Sequence, residues 1–148
     1  MSRRRNTVWF EDFRLRLRFE ARARSVCRNL TVRKHGKGLN ATIVYSFDLD
    51  VPEYEPRRVQ ARFRNGYEPS FPRIYADGPT ESPHRYRGGE LCIWEPADPP
   101  ENTWVPRDGL LELIRHIRLH LFKEAWWRES GEWLGDEVHH DPDIGKAA

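Results

Sequence analysis

The spacing of hydrophobic residues predicts a helix near the start of the chain, over residues 6 to about 24. Its buried stripe would consist of residues spaced three and then four apart: Phe10, Phe13, Leu17 and Ala21. Asn6 or Thr7 can cap this helix, and Glu11 and Asp12 lie in its favourable first turns. Residues 13–19 also alternate with period two, as in a strand, but the helix formers at 20–24 favour the helix.

Alternation with period two predicts a run of strands in the middle of the chain. A hairpin of strands 29–34 and 40–49 turns at 35–38, where two glycines lie. Residues 57–64 alternate Val59, Ala61 and Phe63 with polar residues, as in a strand with one buried face. Residues 73–76 are short enough to form a fourth strand, at the edge of the sheet.

Residues 78–104 form a long proline-rich stretch without periodicity, and helical spacing returns after it. Pro106 suits the first turn of a helix that continues to about Trp127. The tail to His140 is rich in tryptophan, and we expect a second, shorter helix or a cap on the core there. The element order predicts one α+β domain over residues 1–148, with an N-terminal helix, a four-stranded antiparallel meander, a long loop that contains a cysteine, and C-terminal helices.

Composition and charge limit the class of protein. Hydrophobic residues make up 38% of the chain and charged residues 32%, as in a globular protein. No apolar run approaches the roughly 18 residues that span a bilayer, so we expect no membrane association, and a cytoplasmic protein. Residues 1–40 carry a net charge of +9 and the remainder −7, within a total of +2. Nucleic acid is an unlikely partner, because the aromatic residues of the basic part look like core anchors: Trp9, Phe10, Phe13 and Phe19.

Cys92 is the residue with the clearest chemical potential. It is one of only two cysteines, and it follows a Gly-Gly turn eight residues after His84. A thiol in a loop can serve as a nucleophile that carries an acyl group. The alternative is that Cys92 is a small buried hydrophobe between Leu91 and Ile93. Cys27, at the junction of helix and strand, is predicted to lie in the core.

Four motifs resemble, in chain order, those of the ubiquitin-conjugating enzyme family in its divergent bacterial form. Tyr-Glu-Pro-Ser-Phe-Pro at 67–72 is similar to the Tyr-Pro-Phe-x-Pro-Pro segment of that family. His84 matches the histidine of its His-Pro-Asn motif, and Gly-Glu-Leu-Cys at 89–92 resembles its active-site segment. Trp104 and Pro106 correspond to the residues that open the helix after the cysteine. The resemblance extends from about residue 6 to 125.

The resemblance implies a ubiquitin-conjugating-enzyme-like fold and a thioester carried on Cys92, without a cofactor or a metal. Bacterial relatives of this kind resemble components of antiviral defence operons, including cyclic-oligonucleotide (CBASS) systems. The implied partner is a protein with a conjugated C-terminus, either a cGAS-like nucleotidyltransferase or a ubiquitin-like protein. An adenylating E1-like enzyme is a further expected partner where the donor needs activation.

The chain departs from the family where the oxyanion-stabilising asparagine belongs, because Arg85 and Tyr86 follow the histidine. His84 and Tyr86 are the nearest substitutes. His139 and His140 are further candidates if the tail folds back onto the site.

The proposed chemistry needs a thiolate and a route for the attacking amine. A thiol has an ordinary pKa of about 8.5, and nearby cations (Arg85, Arg87 or His84) would raise its thiolate fraction. His84, Glu95 or Asp98 can orient or deprotonate the amine.

Two other functions remain open beside the transferase. The first is a non-catalytic module of the same fold that binds a ubiquitin-like or nucleotidyltransferase partner. The second is a cysteine hydrolase using Cys92 with His84 or His139, although hydrolases usually place the cysteine at a helix N-terminus. His116 and His120 share a helix face, but without a third ligand we expect a surface pair.

Overall fold

The computed structural model describes residues 8–67 and 70–135 of the chain. Within these residues the helices and strands follow the predicted order: α1 (Phe13–Ala23), β1 (Arg28–His35), β2 (Thr42–Leu49), β3 (Arg57–Arg64), β4 (Arg73–Ala76) and α2 (Gly109–Ser130). The predicted caps Asn6 and Thr7, and the candidate residues His139 and His140, lie outside the described residues.

The first helix starts later than predicted and buries a different face. A separate 3₁₀ turn, Trp9–Glu11, precedes it, and Asp12 caps α1 by accepting a hydrogen bond from the Leu15 N–H at 3.2 Å. The break at Asp12 removes Phe10 from the helical register.

The predicted stripe is therefore wrong beyond Phe10. Phe13 is 64% exposed, Leu17 is 47% exposed, and Ala21 also faces solvent. The buried face of α1 consists instead of Phe19, Glu20 and Ala23. The expectation that Phe13 anchors the core is wrong for the same reason.

Strands β1 to β4 form an antiparallel sheet in chain order among the described residues. Strands β3 and β4 have the predicted bounds, and β4 lies at the edge of the sheet, as expected. The alternation along β2 and β3 turns one set of side chains inward: Ile43, Tyr45, Phe47, Leu49, Val59, Ala61 and Phe63. This buried face packs with the helices into one hydrophobic cluster.

Trp104 connects the long loop to the core and to the start of α2. Its ring lies 5.4 Å from that of Phe63 and 6.3 Å from that of Trp9, and its Nε1–H donates to the Gly109 carbonyl at 2.8 Å. The 3₁₀ turn Pro106–Asp108 follows, where the Asp108 carboxylate accepts the Val105 N–H at 3.0 Å. The helix opening predicted at Pro106 thus begins as a 3₁₀ turn.

The long helix α2 ends at Ser130, and the next residue, Gly131, adopts a left-handed conformation with φ of 80°. Residues 131–135 are not helical, so the predicted second helix does not begin there. Over the described part of the chain, none of the helices is long and apolar enough to cross a bilayer.

Candidate active site

The residues before Cys92 form a small hairpin. The Tyr86 N–H donates to the Glu90 carbonyl at 2.8 Å, and the Gly89 N–H donates to the Tyr86 carbonyl at 3.0 Å. Gly88 and Gly89 have φ angles of 99° and 92°, which residues with a side chain rarely adopt. The Gly-Gly sequence therefore makes the tight return that brings Cys92 back beside His84.

This hairpin is attached to the edge of the sheet. Glu90 bridges to Tyr75 of β4, and the Leu91 N–H donates to the Ile74 carbonyl at 2.8 Å. The Cys92 N–H then donates to the His84 carbonyl at 2.8 Å. The main chain from Glu90 to the cysteine is therefore fixed by hydrogen bonds to its neighbours.

The Cys92 thiol is buried, with only 6% of the residue exposed, and it is not in a disulfide. Burial raises the pKa of this thiol to about 11. A hydrogen bond from the Tyr86 hydroxyl opposes that rise, whereas the charges of Glu95, Glu90 and Asp98 add to it. Burial and the bond to Cys92 in turn raise the pKa of Tyr86.

The charges around the Cys92 thiol are negative, whereas the sequence led us to expect cations there. Arg85 is turned away from the thiol and is only 3% exposed, because it forms a buried ion pair with Glu124 of α2. Arg87 is exposed. The expectation that nearby cations raise the thiolate fraction of Cys92 is therefore wrong, and carboxylates act on the thiol instead.

Tyr86, Glu95 and Asp98, which the sequence suggested as auxiliary residues, all lie near enough to the thiol to shift its pKa. Glu95 and Asp98 form a turn, in which the Glu95 N–H donates to the Asp98 carboxylate at 3.0 Å and the Asp98 N–H donates to the Glu95 carbonyl at 3.1 Å. This turn fixes both carboxylates in the segment that follows Cys92.

His84 lies next to Cys92 through its main chain, while its ring packs elsewhere. The ring centroid is 4.0 Å from that of Trp133 and 6.4 Å from that of His120. The contact agrees with the expectation that the tryptophan-rich tail caps the core, although the pairing of Trp133 with His84 was not predicted.

His120 corrects the expectation of a surface histidine pair. It is buried at 6% exposure, whereas His116 is partly exposed and lies 3.5 Å from Glu112. Burial lowers the pKa of His120 to about 3, so the ring is neutral. Among residues 8–67 and 70–135, no three His, Cys, Asp or Glu residues cluster as metal ligands would.

Glu124 and Arg128 are functional candidates that sequence reasoning missed. Glu124 is 1% exposed, and its carboxylate forms ion pairs with both Arg85 and Arg128. A signal was present, because Leu113, Ile117 and Glu124 lie on one buried face of α2, and a carboxylate on such a face requires a partner.

Fold and site together define an α/β protein that presents a buried, tyrosine-bonded cysteine beside the edge of an antiparallel sheet. A family model described as Type II CBASS E2 protein matches residues 21–141. The chain belongs to this family of E2-like proteins of CBASS antiviral defence systems. Searches of curated proteins and of solved structures gave no match.

Proposed function

We propose that this protein is a conjugating transferase that carries the C-terminus of a partner protein as a thioester on Cys92. The carrying observation is that Cys92 lies in the matched E2 segment directly after the Gly-Gly hairpin, where its N–H is held at 2.8 Å by the His84 carbonyl and its thiol lies near Tyr86. Membership of the family supports a role in antiviral defence and interaction with other CBASS proteins. The donor we propose is the C-terminus of a cGAS-like nucleotidyltransferase, and the fold we propose is that of ubiquitin-conjugating enzymes.

The reaction has two acyl transfers. The Cys92 sulfur attacks an activated C-terminal carbonyl, an S–C bond forms, the activating group leaves with the bonding electrons, and the thiol proton passes to base. An amine nitrogen then attacks the thioester carbon, a C–N bond forms, and the C–S bond breaks. Cys92 regains a proton, and the amine loses one to a nearby carboxylate, for which Glu95 and Asp98 are the candidates.

Tyr86 takes the role of the absent asparagine in this proposal. Its hydroxyl donates to the sulfur, and the thioester carbonyl oxygen is bonded to the carbon attached to that sulfur. A small rotation of the hydroxyl directs the same proton to the developing oxyanion. Removing one oxyanion donor typically costs roughly 2.7–4 kcal/mol of transition-state stabilisation.

A non-catalytic binding module is the second candidate, and the burial of the thiol favours it. With a pKa of about 11, the thiolate fraction at pH 7 is on the order of one molecule in ten thousand. In a transferase, the partner or the activated donor must therefore assist ionisation. In a binding module, no ionisation is needed.

Co-expression with the other CBASS proteins of its operon, followed by a non-reducing gel, separates the two candidates. The transferase predicts an adduct that dithiothreitol removes and that Cys92→Ala lacks, while Cys27→Ala retains it. An identical adduct pattern in Cys92→Ala and wild type would exclude the thioester on Cys92. Co-purification of a partner without any thiol-sensitive adduct would support the binding module.

A further inference from the structure

Arg85, in the segment before Cys92, forms a buried ion pair with α2 and also contacts the end of β4. The Arg85 guanidinium contacts Glu124 of α2 through two bonds, Nε to Oε2 at 2.8 Å and Nη2 to Oε1 at 2.6 Å. Its Nη1 donates to the carbonyl of Ala76, the last residue of β4, at 3.1 Å. One side chain therefore holds the segment before Cys92 against both the helix and the end of the edge strand.

Arg128 extends this network one helical turn further. Its Nη2 donates to Glu124 Oε1 at 2.7 Å and to the carbonyls of Pro79 at 2.6 Å and Glu81 at 3.2 Å. The segment is thus attached to α2 at both ends: Arg128 binds it at Pro79–Glu81, and its own Arg85 binds Glu124.

Both neighbours of Arg85 in the chain lie against Cys92, whose sulfur also donates to the Trp94 carbonyl at 3.9 Å. The His84 carbonyl accepts the Cys92 N–H, and the Tyr86 hydroxyl donates to the Cys92 sulfur. Consecutive Cα atoms lie about 3.8 Å apart, so fixing Arg85 on α2 fixes both neighbours within a few ångströms. The network therefore sets the position of the cysteine through the residues on either side of Arg85.

Stability alone is a poor explanation for this network. Taking charges out of water is unfavourable, and apolar residues of similar volume often replace a buried ion pair without loss of stability. Two planar guanidiniums on one carboxylate offer instead a fixed orientation, because their donors bind only in a defined geometry.

We propose that Arg85, Glu124 and Arg128 form a positioning network that keeps the Pro79–Tyr86 segment closed over Cys92 and aligned for acyl transfer. The alignment for transfer rests on the proposed function, whereas the closure over the thiol does not. Arg128 is the member to vary, because it lies at the partly exposed end of the network and Arg85–Glu124 remains without it.

The test is alkylation of Cys92 by iodoacetamide in a Cys27→Ser background, comparing Arg128→Gln with Arg128→Lys. Burial is the largest cause of the raised pKa of the thiol, so opening the segment in Arg128→Gln should raise the alkylation rate by at least about fivefold. Arg128→Lys should stay within about twofold of the parent, because an ammonium has three donors for the same three acceptors. Arg118→Gln, on the exposed side of α2, is the matched control and should equal the parent.

Amide hydrogen exchange over residues 79–92 is a second measurement of the same opening. It should be faster than in the parent in Arg128→Gln, but not in Arg128→Lys or Arg118→Gln. The proposal is overturned if Arg128→Gln matches the parent in both measurements, if Arg128→Lys is as fast as Arg128→Gln, or if Arg118→Gln behaves like Arg128→Gln. In the operon assay, Arg128→Gln should also pass less acyl group to the acceptor for each loaded thioester. Absence of any adduct in the wild type would overturn the proposed transferase and leave the closure result intact.

Discussion

Cys92 is subject to two opposing influences, and their balance decides its chemistry. Burial and neighbouring carboxylates favour the neutral thiol, while the Tyr86 hydroxyl favours the thiolate. Burial is the larger influence, so the free thiol is protected from adventitious oxidation and alkylation, which require the thiolate. A thioester is neutral, so the loaded form does not incur the electrostatic penalty that burial places on the thiolate.

The alkylation rate of Cys92 in Cys27→Ser should therefore have an unusual pH dependence. Because burial raises the pKa of this thiol to about 11, the rate should still rise tenfold per pH unit between pH 8 and about 10. An ordinary thiol, with a pKa of about 8.5, would level off in that range. A plateau near pH 9 in stopped-flow or mass-spectrometric rates would contradict the buried, carboxylate-lined site.

Tyr86→Phe should slow alkylation and lower the rate of acyl transfer. The phenol bond lowers the thiol pKa, so its removal raises the pKa further and reduces the thiolate fraction. In single-turnover discharge of the loaded protein to an amine, we expect a loss of about 100-fold or more if the hydroxyl is the oxyanion donor. Tyr75→Phe, on β4, is the control and should discharge at the wild-type rate.

At the scale of elements, α2 supports the candidate active site through polar residues on its buried face. Burial pushes the pKa of Glu124 upward, but the hydrogen bonds and charge of Arg85 and the charge of Arg128 lower it by more. A lowered folded-state pKa means that this carboxylate stabilises the protein fully above the unfolded value of about 4.3. That contribution is lost as the pH falls through the lowered value.

Glu124→Ala should destabilise the protein by roughly 3–5 kcal/mol, because it leaves the buried Arg85 without its carboxylate. Glu112→Ala, on the same helix but facing solvent beside Arg115 and His116, should change stability by about 0.5 kcal/mol or less. Urea denaturation of the two variants gives this comparison. Equal free energies of unfolding would mean that the Arg85–Glu124 pair does not anchor the segment.

The elements that could be predicted from the sequence are those with a local cause. Alternation along β3 was enough to predict this strand, because β3 pairs with a strand on each side and keeps one buried and one polar face. Cys92, Tyr86 and the Glu95–Asp98 turn could be grouped because they are close together in the chain. The face of α1 was mispredicted, because the break at Asp12 shifts the helical register. The role of Arg85 was missed because its partner lies 39 residues away, where no short-range pattern reports it.

At the scale of the whole molecule, the sheet, the long helix and the active-site hairpin form one continuous support for Cys92. The hairpin joins the edge strand through Tyr75 and Ile74, and the Arg85–Glu124 pair joins the hairpin to α2. The acidic part of the sequence supplies the carboxylates around the thiol, whereas the basic part supplies the exposed arginines of α1. A partner that binds this site would meet a buried thiol beside negative charge.

The most direct measurement is mass-spectrometric mapping of the donor linkage in Cys92→Ser, co-expressed with the other CBASS proteins of the operon. Serine forms an oxyester, which withstands purification better than a thioester. We predict a branched peptide in which the C-terminal residue of one of those proteins is joined to Ser at position 92, and no such branch in Cys92→Ala. A branch attached at another residue, or the same branched peptide in Cys92→Ala, would contradict the thioester mechanism.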